Sequence, residues 1–416
     1  MASPTHDIVI VGAGTAGIYT AALLRKKRPE LSVTLVDPSD VHYYQPGFTI
    51  VGGGEYSLEK TKRRTRDLIP AGAKWIQAKA TELDPDKNEV ALDNGERLQY
   101  RWLVACPGLS NDWNKVAGLL DTVGKNGVCS NYSPDYVNYT WRLIDGFKGG
   151  PAIFTQPPMP IKCPGAPQKI AYLAADRWRQ RGFLDKCDMH FMTAAGAMFG
   201  VAPFSAALDK VVARYGIKPH FFHNLVAVDG DKKTATFEKV QGDTKELVTY
   251  DYGMLHVTPP ETTPAFVKQS PLANSAGFIE VNQSTLRHVR YENVFALGDA
   301  CSTPNSKTAA AIRKQAPVLV KNLLSAMKSE KLDAVYDGYG SCPLTTSLNT
   351  VMLAEFIYGG KVTPTFPLNP FVERQLWWWG KKVGFPLLYW QMLKGLEFDI
   401  SHSEAKGQPY LAGSAT

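Results

Sequence analysis

The segment 7–40, DIVIVGAGTAGIYTAALLRKKRPELSVTLVDPSD, reads as strand, tight turn, helix and strand, which is a βαβ unit. Residues around 7 to 11 are β-branched and apolar on both faces, as a parallel strand covered on both sides requires. Gly12-Ala13-Gly14-Thr15-Ala16-Gly17 then matches GxGxxG at the strand-to-helix junction, and Asp37 closes the second strand. The first glycine permits the turn, the second lets backbone N–H groups approach a pyrophosphate, and the third lets helix and strand pack closely. The helix N-terminus faces the phosphates, and Asp37 accepts hydrogen bonds from a ribose. The spacing predicts a dinucleotide-binding domain.

Working outward, NVFALGDACSTPNSKTAAAI (293–312) reads as a strand ending in Gly298-Asp299, a loop, and a small-residue helix from about Lys307. In flavoproteins with two dinucleotide domains, a Gly-Asp at this place holds the ribityl chain of FAD. LVACPG (103–108) looks like the strand and turn that return the chain to the FAD domain. A second βαβ unit is expected over residues 151–195, with PAIFT as strand and QKIAYLAADRWRQRG as helix. Between them QPPMPIKCPGAP holds one glycine, Gly165, and five prolines. Prolines have no N–H to offer a pyrophosphate, so the sequence predicts that nicotinamide binding has been dispensed with.

Cys163 sits there instead, just before a helix N-terminus and beside Lys162, two features that favour a thiolate nucleophile. Cys342, in YDGYGSCPLTTSLNTVMLAEF, again precedes a proline and is expected ahead of a helix-like stretch. Whether the two cysteines meet is a matter for the fold; within reach, they can form a disulfide or a longer polysulfide.

The composition agrees with a globular protein. With 416 residues, at roughly 150 per domain, two or three packed units are expected. An apolar content of 44% excludes a disordered or fibrous chain. The excess of 46 Lys and Arg over 39 Asp and Glu is spread along the sequence, which suits a membrane surface better than nucleic acid. Six cysteines with no CxxC pair exclude a disulfide-stapled scaffold and predict no metal site. No apolar run reaches about 18 residues, so no spanning helix is expected. The first strand begins near Asp7, which leaves no room for a targeting peptide within this sequence: either this is the native start or a leader has been removed.

Several segments together resemble sulfide:quinone oxidoreductase of the type II, mitochondrial-like branch: VGAGTAG, HYYQPGFT (42–49), IKCPGAPQK (161–169), LHVTPP (255–260), ALGDA (296–300), SKTAAA (306–311) and DGYGSCPL (337–344). The resemblance implies an α/β architecture of two Rossmann-like dinucleotide-binding domains, as in glutathione reductase, with C-terminal amphipathic membrane-seating helices. It divides the chain into a split FAD domain (1–110 and 270–330), a second dinucleotide-like domain carrying Cys163 (111–269), and a C-terminal region carrying Cys342 (331–416). FAD is expected against Gly12, Ala13, Gly14, Thr15, Ala16, Gly17, Asp37, Pro38, Gln45, Pro46, Ala80, Pro107, Gly108, Gly298, Asp299, Lys307 and Thr308.

The same resemblance makes Cys163 and Cys342 the redox pair. Hydrosulfide attacks their bridge, Cys342 carries the persulfide, and the released Cys163 thiolate faces the flavin. A thiol such as glutathione, sulfite, cyanide or further sulfide then removes the sulfane sulfur, and ubiquinone or another membrane quinone takes two electrons. Lys307 is expected to place positive charge by the flavin or else to be solvated. A third cysteine used by another bacterial branch falls near Cys129, its role open; Cys301 is expected near the FAD without a role, and Cys106 and Cys187 are expected to be inert. His42 and His256 read as structural hydrogen-bonding groups.

Residues 366–398 hold Trp377, Trp378, Trp379 and Trp390 beside Arg374, Lys381, Lys382 and Lys394, a composition suited to the headgroup region. Gly384 and Pro386 are expected to break the tail into two short helices, with Phe356 and Tyr358 lining the quinone. The expected location is a bacterial cytoplasmic or mitochondrial inner membrane surface, and a homo-oligomer is compatible with it. Two rivals are a type II NADH:quinone reductase, which needs a second glycine-rich loop, and a flavin-bearing persulfide sensor without turnover.

Overall fold

The computed structural model describes residues 6–398; the rest of the expected C-terminal region, residues 399–416, lies outside the described residues. The first sheet has five parallel strands, in the order Lys74–Ile76, Val33–Val36, His6–Val11, Arg97–Ala105 and Val294–Ala296. Two antiparallel strands, Glu89–Leu92 and Ala80–Asp84, extend from the first half of Arg97–Ala105. The buried β-branched strand of the opening motif lies at the centre, and Val9↔Leu103 and Leu103↔Val294 set its register with the two distant segments. Strand His6–Val11 runs directly into helix Thr15–Lys27, and strand Val294–Ala296 is followed by a loop and helix Ala309–Ala326. That last helix starts at Ala309, two residues later than the sequence suggests, because the Thr308 hydroxyl caps it by accepting the Ala311 N–H.

A second, wholly parallel sheet runs Val128–Cys129, Met254–His256, Gly150–Gln156, Cys187–Thr193, Lys218–His220. The expected 151–155 strand and its following helix are both present, the helix spanning Ala166–Gln180. A three-stranded antiparallel sheet, His223–Asp229, Thr234–Gln241 and Thr244–Asp251, covers one side.

The remaining chain joins the two halves. Gly340–Thr345 and Val351–Phe356 pair as an antiparallel hairpin, so Cys342 lies on a strand rather than at a helix start. The Val, Leu, Thr and Met residues around it favour a pleated surface, and tertiary pairing wins over the helical reading. Residues 375–393 form one helical run, Gln375–Trp379, a wide turn of π geometry over Gly380–Gly384, and Phe385–Leu393. The expected break at Gly384 and Pro386 does not occur: Pro386 falls in the first turn of the last segment, where its missing N–H costs little.

Candidate active site between the two sheets

Where the fingerprint strand, the loop before Ala166–Gln180, the hairpin and the C-terminal helices converge, they enclose a cavity of about 590 Å³. Its floor is the fingerprint loop. A Cβ on Gly12 would lie 2.4 Å from the Cys106 carbonyl oxygen, and one on Gly17 would lie 1.8 Å from the Gly12 carbonyl oxygen, so both positions exclude side chains. A Cβ on Gly14 would meet nothing within 4 Å, and no side chain caps the helix that starts after it. The first N–H groups of Thr15–Lys27 are therefore presented toward open space. Asp37 accepts the N–H of Ala13 at 2.7 Å and of Ser39 at 2.8 Å, which ties the second strand to the loop.

Most of the expected cofactor positions line this cavity: Gly12 to Ala16, Asp37, Gln45, Pro46, Pro107, Gly108, Gly298, Asp299, Lys307 and Thr308. Gly17, Pro38 and Ala80 are not on its wall; Ala80 is buried at the start of strand Ala80–Asp84, in the antiparallel extension of the first sheet. Lys307 is not solvated. Its ammonium is buried and donates to the carbonyls of Cys301 at 2.7 Å and Thr303 at 2.9 Å, clamping the loop after Gly298-Asp299.

Opposite the floor, the Sγ atoms of Cys163 and Cys342 stand 3.4 Å apart, both as free thiols. Cys163 has φ +47°, a left-handed conformation held by its N–H bonding the Lys307 carbonyl at 2.8 Å and its own carbonyl accepting Ala166 N–H. The neighbouring cation is not Lys162, as the sequence suggests, but Lys169, whose Nζ is 3.1 Å from Cys163 Sγ. Lys162 also lines the cavity, but its ammonium is paired with the buried Glu261 carboxylate at 3.0 Å. Cys163 lies in the loop ahead of helix Ala166–Gln180, and Lys169, in that helix's first turn, reaches back to its sulfur.

A hydrogen bond from Cys342 holds the Cys163 thiol well below its ordinary value against the opposing effect of burial, with the Lys169 and Lys381 charges adding to it. The bond works the other way on Cys342, which stays protonated. The pair thus shares one negative charge, carried by Cys163. Lys381, from the wide turn of the C-terminal run, also lines the cavity; burial and then the Lys169 charge depress its ammonium to about 7.

The other cysteines stay apart. Cys129 is buried on strand Val128–Cys129 of the second sheet, its thiol pushed up to about 12 by burial, and Cys301 bonds Gly298 and Thr303. Cys106 lies on the cavity wall with its thiol also raised by burial, and burial raises Cys187 to about 11. Buried His42 bonds Ala13 and Tyr389, and buried His256 accepts the Asn131 N–H, in keeping with hydrogen-bonding roles. Phe356 packs on Phe199 and Tyr358 on Tyr336, so neither expected quinone contact reaches the cavity. The side chains there are Leu353, Phe366, Phe385, Leu388 and Met392, which the ambiguous alternation around residue 356 did not single out. Sequence reading also passed over Asn131, whose buried amide lines the cavity with both polar atoms unpaired.

Fold and site define a flavoprotein of the two-dinucleotide-domain class, and residues 6–133 match the family described as pyridine nucleotide-disulphide oxidoreductase. A solved structure titled as the sulfide:quinone oxidoreductase of the hyperthermophilic bacterium Aquifex aeolicus superposes with TM-score 0.79 at 19% identity, covering 94% of this chain and 92% of that one. Mitochondrial sulfide:quinone oxidoreductases are similar along the sequence: that of Dictyostelium discoideum is 44% identical, covering 94% of this chain and 86% of the relative. That of Mus musculus is 39% identical, covering 93% and 86%. The chain belongs to the sulfide:quinone oxidoreductases.

Proposed function

We propose that this protein oxidises sulfide to sulfane sulfur at Cys163 and Cys342, with FAD as its flavin and a membrane quinone as electron acceptor. The observation that carries the reading is the 3.4 Å approach of two sulfurs 179 residues apart, beside a buried ammonium. The chain's residues fit FAD. Gly14 leaves room for a pyrophosphate, uncapped N–H groups of a 13-residue helix face it, and Asp37 keeps lone pairs for a ribose. Asp299, half-buried on the wall, has its carboxyl raised by desolvation against the Lys162 and Lys307 charges and suits a ribityl hydroxyl partner. When bound, FAD supplies a two-electron relay between sulfur and quinone.

In the oxidised pair, hydrosulfide attacks the Cys342 sulfur; the new S–S bond makes a Cys342 persulfide, and the bridge bond breaks to release the Cys163 thiolate. Lys169 receives that charge at 3.1 Å. A thiol, sulfite, cyanide or a second sulfide then takes the sulfane sulfur from Cys342. Residues 375–393 seat the protein on the mitochondrial inner membrane or its bacterial counterpart and admit the quinone past Phe385 and Leu388. Among the described residues no helix is long and apolar enough to cross a membrane.

Anaerobic mixing with sulfide tests this: the visible flavin absorbance bleaches and returns on adding a short-chain quinone. Bleaching by NADH instead supports an NADH:quinone reductase, and bleaching without quinone turnover a sensor. Cys163→Ser and Cys342→Ser each abolish sulfide oxidation while retaining FAD; full activity in either refutes the pairing.

A further inference from the structure

We propose that the Tyr389 hydroxyl is a positioning group that ties the C-terminal helix to the fingerprint loop, so that seating this helix governs how firmly FAD is held. The inference rests on the FAD reading above. Tyr389 lies in Phe385–Leu393 and is 5% exposed. Its hydroxyl is 2.7 Å from Thr15 Oγ1 and 2.6 Å from His42 Nε2. His42 Nδ1 in turn lies 3.4 Å from the Ala13 carbonyl oxygen. Thr15 and Ala13 flank Gly14, so one phenol grips the phosphate loop on both sides of its open glycine.

The proton pattern follows from what each atom can do. Burial depresses His42 to about 4, so the ring is neutral and has one N–H and one acceptor nitrogen. The Ala13 carbonyl only accepts, which places the N–H on Nδ1 and leaves Nε2 to accept. Tyr389 therefore donates to His42 and accepts from Thr15, and every hydrogen in the chain has one role.

The same stretch holds the fingerprint helix farther along. Tyr19 donates to the Leu396 carbonyl at 3.4 Å, and Lys26 donates to the Gly395 carbonyl at 2.8 Å. A Cβ on Gly395 would approach the Ala22 backbone at 3.3 Å. The C-terminal segment thus lies along the whole helix whose N-terminus faces the cofactor cavity. On the outward side of the same segment Leu387 is 60% exposed, so whatever surface holds Leu387 also holds Tyr389 in place.

The test is Tyr389→Phe, which keeps the ring packed at 4.7 Å from Tyr44 and removes only the hydroxyl. FAD release from the holoenzyme, followed by flavin fluorescence after dilution, is expected to speed roughly tenfold. Leu387→Ala is expected to leave it unchanged in detergent-free buffer. Thr15→Val combined with Tyr389→Phe is expected to cost less than the sum of the two single changes, since the Thr15–Tyr389 bond is lost in both. Phosphatidylcholine–cardiolipin vesicles are expected to slow release from the wild type and not from Tyr389→Phe. Hydrogen exchange of the flavin-free protein gives a readout without cofactor: amides 13–18 lose protection in Tyr389→Phe alone. Unchanged release and exchange in Tyr389→Phe, or an equal effect from Leu387→Ala, overturns the inference. A wild-type protein that neither carries nor takes up FAD overturns the FAD reading instead.

Discussion

Gly165 leaves the space that Cys342 Sγ fills: a Cβ on this glycine would lie 2.6 Å from that sulfur and 2.6 Å from Leu344 Cδ2. Its backbone is in the right-handed helical region at φ −87°, so alanine there carries no conformational penalty and the clash stands alone. Gly165→Ala is expected to push the sulfurs apart and slow sulfide-driven bleaching at least about tenfold, with an overpacking cost of about 1–3 kcal/mol. Stopped-flow bleaching beside a thermal melt checks this; an unchanged rate would show that the two cysteines do not act together.

The Lys169 ammonium, 3.1 Å from Cys163, should be visible in the titration of the thiol. Cys163 is held below its ordinary value, so its thiolate is present at neutral pH and is lost only as pH falls through the lowered value. Lys169→Met removes one source of that lowering and is expected to shift the titration upward, toward the ordinary value of about 8.5. Alkylation rates of the reduced enzyme against pH measure the shift. A superimposable profile would mean that the Cys342 hydrogen bond alone sets the thiolate.

What was legible beforehand follows from which interactions are local. The turn at Gly12–Gly17 is dictated by glycines close in sequence, and Gly298-Asp299 repeats that logic at a strand end, so both were readable. The cysteine pair was readable only as two reactive-looking contexts, because the contact spans the hairpin and the second sheet. Adjacency in sequence points to Lys162, whereas the left-handed loop at Cys163 and the helix that follows it bring Lys169, six residues on, to the sulfur. Phe356 and Tyr358 read as apolar residues following Cys342 with no clear alternation to give their direction, and the fold sends them to Phe199 and Tyr336. The helical run through Gly384 and Pro386 depended on packing against Thr15 and Tyr44, which no local propensity encodes.

Lys381 carries a stability signature of definite sign. Burial depresses its ammonium to about 7, whereas the unfolded chain has the ordinary 10.5. Between these values the unfolded state binds more protons, so this group makes the protein more stable as pH rises from about 7 toward 10.5. Lys381→Met removes the contribution and is expected to raise Tm most at pH 6, by the equivalent of a few kcal/mol, with the gain shrinking toward pH 10. Melting curves of both proteins across that range decide it; a constant difference would show that the ammonium keeps its ordinary value.

The outward face of the C-terminal run makes the membrane claim quantitative. Leu376, Trp379, Val383 and Leu387 are 59%, 67%, 56% and 60% exposed and recur at intervals of three or four residues, which aligns them on one side. Trp377, Trp378, Lys381 and Tyr389 fill the other side, facing the protein. Burying each outward side chain in a bilayer interface contributes about 1.5–3 kcal/mol. Trp379→Ala with Leu387→Ala is therefore expected to weaken binding to lipid vesicles by about a hundredfold or more. Neither side chain lines the cavity, so bleaching by sulfide and reoxidation by a short-chain soluble quinone are expected to continue at the wild-type rate. Turnover with a long-chain quinone confined to the vesicles is expected to fall in proportion to the bound fraction. Vesicle co-sedimentation beside the two quinone assays separates the roles: undiminished sedimentation would remove this face from the membrane contact, and equal loss with both quinones would place its effect inside the active site.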